Sequence, residues 1–248
     1  MKTKLKRIIA DFHQNPLPEF RRRALEVPVH LKKIITIVGP RRAGKTFYLY
    51  QIMTDLEQSG VAREQMLYIN FEDERLDLEG NNDIILDAYR ELYPDQDLNR
   101  LYIFFDEIQE LPDWEKFVRR VSDTISKHIF LTGSNAKLLS KEIDTSLRGR
   151  ALTFEILTLY FSEYLDFQDL PTKVPVSSKE KALVSRAFEQ YYRWGGFPEL
   201  LEMDERFKAK ALQEYFNVML YRDLIERYRI SDPSVLKYLM KRLIESFT

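Results

Sequence analysis

The sequence contains no cysteine and only three histidines, His13, His30 and His128. Without cysteine there are no disulfide bonds, no thiolate zinc sites and no cysteine nucleophiles. The histidines lie far apart and lack a metal-ligand spacing such as HxxxH, which argues against a histidine metal site. The chemistry of the chain must therefore be sought in other residue types.

Long apolar runs are also missing, and the formal net charge is only −1. No stretch of about eighteen apolar residues is present, which excludes a membrane span. The apolar part of the N-terminal stretch "MKTKLKRIIADF" is too short for a signal peptide. With 38 basic and 39 acidic residues, no overall field draws the chain to nucleic acid. These absences predict a cytoplasmic protein, and the local "RRR" run at 21–23 is interpreted as a solvated face.

Apolar strand segments alternate with helical patterns through the first two thirds of the sequence. The first thirty residues are expected to be helical, with a break at Pro16 and Pro18 before "EFRRRALEV". Strands that are apolar on both faces and alternate with helices are typical of a parallel sheet covered on both sides. The predicted strands are "HLKKIITIVGP", "QMLYINF", "RLYIFFDE", "KHIFLTGSN" and "RALTFEIL". The sequence thus predicts a three-layer α/β core.

Strand patterns stop after about Leu159 and are followed by a linker-like stretch, "PTKVPVSSKEK". Only helical patterns follow it, interrupted at "GGFPEL". We therefore expect an α/β core over 1–160 and an all-helical subdomain over 161–248. The last helix has no stop signal, which suggests that the chain was cut from a longer one.

The stretch "GPRRAGKT" follows the first strand and opens a helix, the context that the GxxxxGK[ST] phosphate loop requires. Gly39 and Gly44 allow the backbone to turn its amides inward, and the helix adds the positive end of its dipole. Lys45 is expected to contact the β and γ phosphates, and Thr46 to bind Mg²⁺. The residues expected to line the nucleotide are Gly39, Pro40, Arg41, Arg42, Ala43, Gly44, Lys45, Thr46 and Phe47.

The strand in "LYIFFDE" delivers two acids to its carboxyl end, where ligands bind in open α/β sheets. Asp106 is expected to hold the Mg²⁺, so the predicted metal ligands are Thr46 and Asp106. Glu107 is the candidate that activates water for hydrolysis. The adjacent pair predicts a nucleoside-triphosphate hydrolase.

Two further segments supply candidate catalytic residues. "LTGSN" places Ser134 or Asn135 where a side chain reaches a γ-phosphate, although Gly-Ser-Asn is also ordinary turn chemistry. "SLRGR" contains Arg148 and Arg150, either of which is a candidate arginine finger acting on a neighbouring subunit. Salt bridging within the loop is the alternative for both arginines. The chain has no NKxD signature for guanine, so adenine is preferred.

Taken in order, these motifs resemble the prokaryotic AAA-type ATPases of the archaeal-ATPase-like group, relatives of the STAND ATPases. The matching stretches are "GPRRAGKT", "FFDEIQELPDWEKF", "FLTGSNAKLL", "SLRGRALTFEILTLYFSEYL" and "GGFPEL". The resemblance implies a parallel five-stranded sheet of the additional-strand type, in which one strand separates the Asp106 strand from the phosphate-loop strand. It also implies a helical lid with Pro198 on the adenine, and a further domain after Thr248.

Together, the motifs and the resemblance predict an ATPase that uses ATP/ADP and Mg²⁺ and couples its nucleotide state to movement of the lid and of a partner domain. One alternative is an ADP/ATP-binding switch with negligible turnover. Another is a nucleic-acid-binding module, regulated by ATP, that uses the basic N-terminus and Arg21, Arg22 and Arg23; no recognition motif supports it. A P-loop kinase is a weaker option. Self-association with an arginine in trans and an unknown protein partner are possible within the first reading.

Overall fold

A computed structural model describes residues 1–78, 80–134, 147–173, 177–226 and 229–246 of the chain. Its helices are α1 (Lys2–Gln14), α2 (Lys45–Gln58), α3 (Ile84–Leu92), α4 (Trp114–Thr124), α5 (Phe161–Phe167), α6 (Ser178–Trp194), α7 (Glu205–Val218) and α8 (Pro233–Ser246). Its strands are β1 (Ile34–Gly39), β2 (Met66–Asn70), β3 (Tyr102–Asp106), β4 (His128–Ser134) and β5 (Ala151–Glu155). A π-helix, Met219–Glu226, follows α7, and short 3-10 turns lie at Arg63–Gln65, Leu98–Arg100, Ile108–Glu110 and Pro198–Leu200.

The five strands form one sheet in the order β2-β3-β4-β1-β5. Every neighbouring pair is parallel. Strand β4 lies between β1, which leads into the phosphate loop, and β3, which ends at Asp106. The predicted additional-strand order and the three-layer α/β core are therefore confirmed.

Alternate residues of the strands supply two cores, one on each face of the sheet. On one face, strand residues such as Val38 and Phe105 pack with side chains of α1, α3 and α4. On the other face, Phe104 and Phe130 stack with ring centroids 4.8 Å apart and pack with residues of α2. Burial on both faces explains why β1 and β3 are almost continuous apolar runs, whereas most residues of the edge strand β5 are exposed or only partly buried. Among the described residues, no helix has both the length and the apolar character needed to cross a bilayer.

The segment between α1 and β1 corrects one sequence prediction. The expected helix over "EFRRRALEV" is absent, and residues 16–23 have no regular secondary structure. The arginines of this segment instead reach carboxylates in other parts of the chain, including Asp55, Glu163 and Asp169. Tertiary ion pairs have thus overridden the local helical preference.

The chain divides into two compact units, Met1–Pro198 and Glu199–Thr248. Helices α5 and α6 belong to the first unit, although the sequence pattern assigns them to the helical lid. Two contacts that hold them there are the 2.7 Å hydrogen bond from the Leu159 amide to the Gly196 carbonyl and the ion pair of Glu163 with Arg23. The role of residues 161–248 as a lid stays a prediction.

Candidate functional site

The phosphate-loop sequence connects β1 to α2 and lies at the carboxyl edge of the sheet. A Cβ on Gly39 would lie 1.9 Å from the backbone oxygen of Ile156, so only glycine fits there. Arg42 and Gly44 have positive φ angles of 63° and 94°, which turn the loop tightly. Helix α2 begins at Lys45, and its first amides have no partner within the helix. The loop therefore ends at a helix N-terminus suited to an anion.

The Lys45 side chain is buried among backbone oxygens and one carboxylate. Its Nζ donates to the carbonyl oxygens of Gly39 and Pro40, each at 3.2 Å. The same Nζ lies 3.4 Å from Oε1 of Glu107. The structure thus brings together two of the predicted catalytic residues, Lys45 and Glu107.

Asp106 ends β3 with a fully buried carboxylate that receives three hydroxyl hydrogen bonds. Thr46 Oγ1 donates to Oδ2 at 2.8 Å, and Tyr68 OH donates to the same oxygen at 3.0 Å. Thr132 Oγ1 donates to Oδ1. Burial raises the pKa of Asp106, with the nearby charge of Glu107 acting in the same direction, while the hydroxyl donors oppose the shift. The two predicted metal ligands, Thr46 and Asp106, are therefore in direct contact.

Glu107 is held at both its backbone and its side chain. Its φ of 51° lies in the left-handed region, which is uncommon for a residue other than glycine. Its amide donates to Thr132 Oγ1 at 3.0 Å, and Oε2 accepts from Gln109 Nε2 at 2.6 Å. Such a conformation persists only where the surrounding structure holds it, and these contacts supply that support.

A pair of tyrosines extends the Asp106 network. The hydroxyls of Tyr50 and Tyr68 lie 3.3 Å apart. Burial and the charge of Asp106 raise the pKa of Tyr68, and burial raises the pKa of Tyr50. Because Tyr68 donates its proton to Asp106, Tyr50 must be the donor between the two tyrosines. The two hydroxyls therefore form a short chain of hydrogen bonds, from Tyr50 to Tyr68 and from Tyr68 to the carboxylate of Asp106.

The other predicted site residues lie in different surroundings. In the sheet, Ser134 pairs in register with Gly39, which places its backbone beside the phosphate loop. The side chain of Ser134 and the whole of Asn135 lie outside the described residues. Arg148 is exposed, and Arg150 donates to both oxygens of Asp123 at 3.0 and 3.2 Å. Arg150 thus forms the intrachain salt bridge that was the alternative to a finger.

Three further predicted nucleotide-binding residues lie at or near the surface. Arg41 pairs with Glu72 at 3.0 Å, and the half-exposed Phe47 packs edge-on against Tyr50. Pro198 begins a 3-10 turn after the "GGF" stretch. Their contacts with a nucleotide stay predictions.

Several residues of the site were not expected from the sequence. In the sequence Thr132 and Tyr68 are ordinary strand residues, and only their hydroxyl hydrogen bonds to Asp106 in the structure identify them as part of the site. Arg23 donates to the Ala43 carbonyl of the phosphate loop at 2.7 Å, but within "RRR" it resembles any solvated basic residue. Its burial beside Glu163 depends on the tertiary fold.

The residues present fit a magnesium ion. Mg²⁺ prefers oxygen ligands and is commonly bound by one or two carboxylates together with phosphate oxygens and water. Thr46 and Asp106 place a hydroxyl and a carboxylate oxygen side by side next to the phosphate loop. No group of three or more histidine, aspartate or glutamate side chains suited to a metal occurs within the described ranges. The donor set therefore suits an ion shared with phosphate oxygens.

Comparison with known proteins assigns this site to a family. A family model described as an AAA domain matches residues 31–165, a range that contains the loop, Asp106 and Glu107. The chain belongs to the AAA domain family. An uncharacterised protein of Methanocaldococcus jannaschii is 42% identical to this AAA protein over 228 residues, covering 91% of this chain and 49% of the relative. An uncharacterised Haemophilus influenzae protein is 32% identical over 204 residues, covering 82% of this chain and 49% of the relative.

Solved structures similar to this AAA protein include PCH-2 of C. elegans, with a TM-score of 0.45 and 15% identity, covering 81% of this chain and 59% of that one. AMPPCP-bound DnaA from Aquifex aeolicus gives a TM-score of 0.40 and 12% identity, covering 92% and 68% of the two chains. The AAA protein spans about half the length of the curated relatives that it matches. Family membership supports nucleotide binding by an AAA-type ATPase domain.

Proposed function

We propose that this AAA protein binds ATP with Mg²⁺ and hydrolyses it at the carboxyl edge of β1 and β3. The observation that carries the proposal is the meeting of two pairs of side chains, Lys45 with Glu107 and Thr46 with Asp106. The residues come from segments about sixty positions apart. Together they provide a phosphate-binding cation, metal-binding oxygens and a carboxylate positioned for acid–base chemistry.

Phosphate binding would use the loop amides, the N-terminus of α2 and Lys45. The Lys45 ammonium has three protons, and its neighbours Gly39 O, Pro40 O and Glu107 Oε1 are all hydrogen-bond acceptors. Phosphate oxygens are stronger acceptors than carbonyl oxygens because they are charged. Exchange of the carbonyl contacts for β- and γ-phosphate contacts therefore favours binding. Adenine remains the preferred base, with Pro198 as a predicted contact.

Thr46 and Asp106 would hold the metal. When bound there, Mg²⁺ neutralises charge that develops on the phosphate oxygens. Tyr68 and Thr132 keep the carboxylate of Asp106 oriented by donating to its two different oxygens. A fixed carboxylate needs little rearrangement before it receives the ion.

Glu107 is the proposed base for the attacking water. Its left-handed backbone conformation and the hydrogen bond from its backbone amide to Thr132 Oγ1 hold it beside Lys45. Its Oε2 also accepts from Gln109. Ser134 or Asn135 as a γ-phosphate sensor, and Arg148 or Arg150 as a finger in trans, complete the proposal. For Arg150 that role requires release from Asp123.

The contacts of Glu107 also favour a second candidate, an ADP/ATP-binding switch with negligible turnover. Lys45 faces one of its oxygens and Gln109 donates to the other. A carboxylate engaged in this way must be released before it takes a proton from water. The nucleic-acid alternative is weaker, because Arg21, Arg22 and Arg23 each pair with a carboxylate of the same chain.

Steady-state phosphate release from ATP and Mg²⁺ tests the proposal, with nucleotide affinity measured in parallel. We expect turnover by the wild type, loss of ATP binding in Lys45→Ala, and ATP binding without cleavage in Glu107→Gln. Glu110→Gln is the matched control, since it neutralises an exposed acid three positions away. It should keep wild-type turnover.

Two results would change the conclusion. Tight ATP binding without phosphate release by the wild type would favour the switch. Equal turnover by the wild type and Glu107→Gln would remove Glu107 from the mechanism. A rate per subunit that rises with protein concentration would support an arginine in trans. Coupling to the lid and to a partner domain, and a cytoplasmic location, stay predictions.

A further inference from the structure

The arginine run at 21–23 joins the segment before β1 to three different parts of the chain. Arg21 forms an exposed bidentate pair with Asp169, at 2.6 and 2.7 Å. Arg22 forms an exposed pair with Asp55 of α2, at 2.7 Å. Arg23 differs from both, because its side chain and that of Glu163 are only 7% and 6% exposed. Only the third arginine is therefore placed to act inside the structure.

The buried pair is well satisfied by hydrogen bonds. Arg23 donates through Nε and Nη2 to the two oxygens of Glu163, at 2.9 and 3.1 Å. The same carboxylate accepts from the amides of Ala24 and Tyr160 at 2.9 and 3.1 Å. Burial acts to raise the pKa of Glu163, but these donors outweigh it and hold that pKa below its usual range. The guanidinium is therefore held in one orientation.

The remaining donors of Arg23 reach two backbone carbonyls. Nη2 donates to Leu157, after β5, at 2.9 Å, and Nη1 donates to Ala43, inside the phosphate loop, at 2.7 Å. The backbone of Arg23 is itself fixed to α2, since its amide donates to Gln51 Oε1 at 2.8 Å and its carbonyl accepts from Gln51 Nε2 at 3.2 Å. One buried cation thus connects the loop to three other segments.

The contact with Ala43 has a direct consequence for the next amide. In a trans peptide the C=O and the following N–H point in opposite directions. Holding the Ala43 carbonyl therefore directs the Gly44 amide away from the guanidinium. Without a side chain, Gly44 otherwise permits rotation of this peptide at little steric cost, and its φ of 94° is one that few other residues adopt.

The geometry points to Arg23 as a positioning residue of the phosphate loop, which holds the Ala43–Gly44 peptide so that the Gly44 amide is presented to a phosphate. The inference rests on the proposed nucleotide binding. Glu163 acts through Arg23 by orienting its guanidinium. Arg23 would touch no substrate atom, and its effect would appear in phosphate affinity.

The test compares ATP and inorganic pyrophosphate binding, measured by titration calorimetry, in the wild type and three variants. Arg23→Met combined with Glu163→Gln removes both buried charges, so that neither is left unpaired. Arg23→Lys keeps the charge but lacks the planar fork that reaches Glu163 and two carbonyls together. We expect both to bind each ligand about tenfold to a hundredfold more weakly, which corresponds to one charge-assisted hydrogen bond. Arg21→Gln, the matched control, breaks the exposed pair with Asp169 and should stay within about twofold of the wild type.

A spectroscopic measurement separates positioning from general stability. In nitrogen-15 labelled protein, pyrophosphate should shift the Gly44 amide resonance strongly in the wild type and weakly in Arg23→Lys. If the wild type binds neither ligand, the proposed nucleotide binding fails. If the wild type binds, and the folded Arg23→Lys protein matches it in both affinity and the Gly44 shift, the inference about Arg23 is overturned.

Discussion

Replacement of Thr132 by valine tests how the acidic pair at the end of β3 is held. Thr132 is fully buried in β4, and its hydroxyl joins the two acids. It donates to Asp106 Oδ1 and accepts from the amide of Glu107 at 3.0 Å. Valine has nearly the same size but neither donates nor accepts. The substitution therefore removes two hydrogen bonds without opening a large cavity.

The expected cost follows from those two contacts. A buried amide left without an acceptor costs about 1–3 kcal/mol, and a hydrogen bond to a charged group contributes about 1.5–3 kcal/mol. Allowing for the apolar methyl gained, we expect Thr132→Val to lower the free energy of unfolding by about 2–5 kcal/mol. Thr132→Ser keeps the hydroxyl and removes one methyl group, which should cost only about 1 kcal/mol.

Urea unfolding of both variants, followed by the far-UV circular dichroism signal, measures this difference. The valine variant should unfold at a lower urea concentration than the serine variant. It should also lose turnover more than ATP affinity, because the left-handed backbone of Glu107 loses its anchor while the loop stays intact. A valine variant as stable and as active as the serine variant would refute the reasoning.

Two further predictions concern pH and the loop glycine. Burial lowers the pKa of His13 below its ordinary 6.5, and its Nε2 donates to the Met66 carbonyl at 2.8 Å. The contribution of neutral His13 to stability is therefore present above pH 6.5 and is lost as the pH falls below that value. The urea midpoint of the wild type should fall between pH 7 and pH 5, and it should fall less in His13→Asn. An equal fall in the two proteins would contradict this role for His13. In Gly39→Ala the new Cβ would lie 1.9 Å from the backbone oxygen of Ile156. In the control Gly60→Ala, φ is also positive but no atom lies within 4 Å of the new Cβ. The melting temperature should therefore fall further in Gly39→Ala than in Gly60→Ala. Equal melting temperatures in these two variants would show that the close approach at Gly39 is relieved at little cost.

Local patterns were sufficient to predict the strands, the phosphate loop and the acidic pair. The central strands β1 and β3 are apolar on both faces, and GxxxxGK[ST] needs only neighbouring residues to be recognised. The strand order came from the resemblance to AAA-type ATPases. Thr132 and Tyr68 could not be assigned in this way, because a threonine or tyrosine in a strand is ordinary composition. Their role depends on the register that places them beside Asp106.

The three arginines at 21–23 are identical in the sequence but occupy different environments in the fold. From the sequence alone, three adjacent arginines favour a solvated face, with a nucleic-acid surface as the weaker alternative. Their carboxylate partners lie 148, 33 and 140 positions away, so no local window contains them. Exposed pairs such as those of Arg21 and Arg22 contribute little to stability, whereas an unpaired charge at the buried Arg23–Glu163 position would be costly. The fold therefore separates the run into two surface contacts and one buried contact, and only the buried one reaches the phosphate loop.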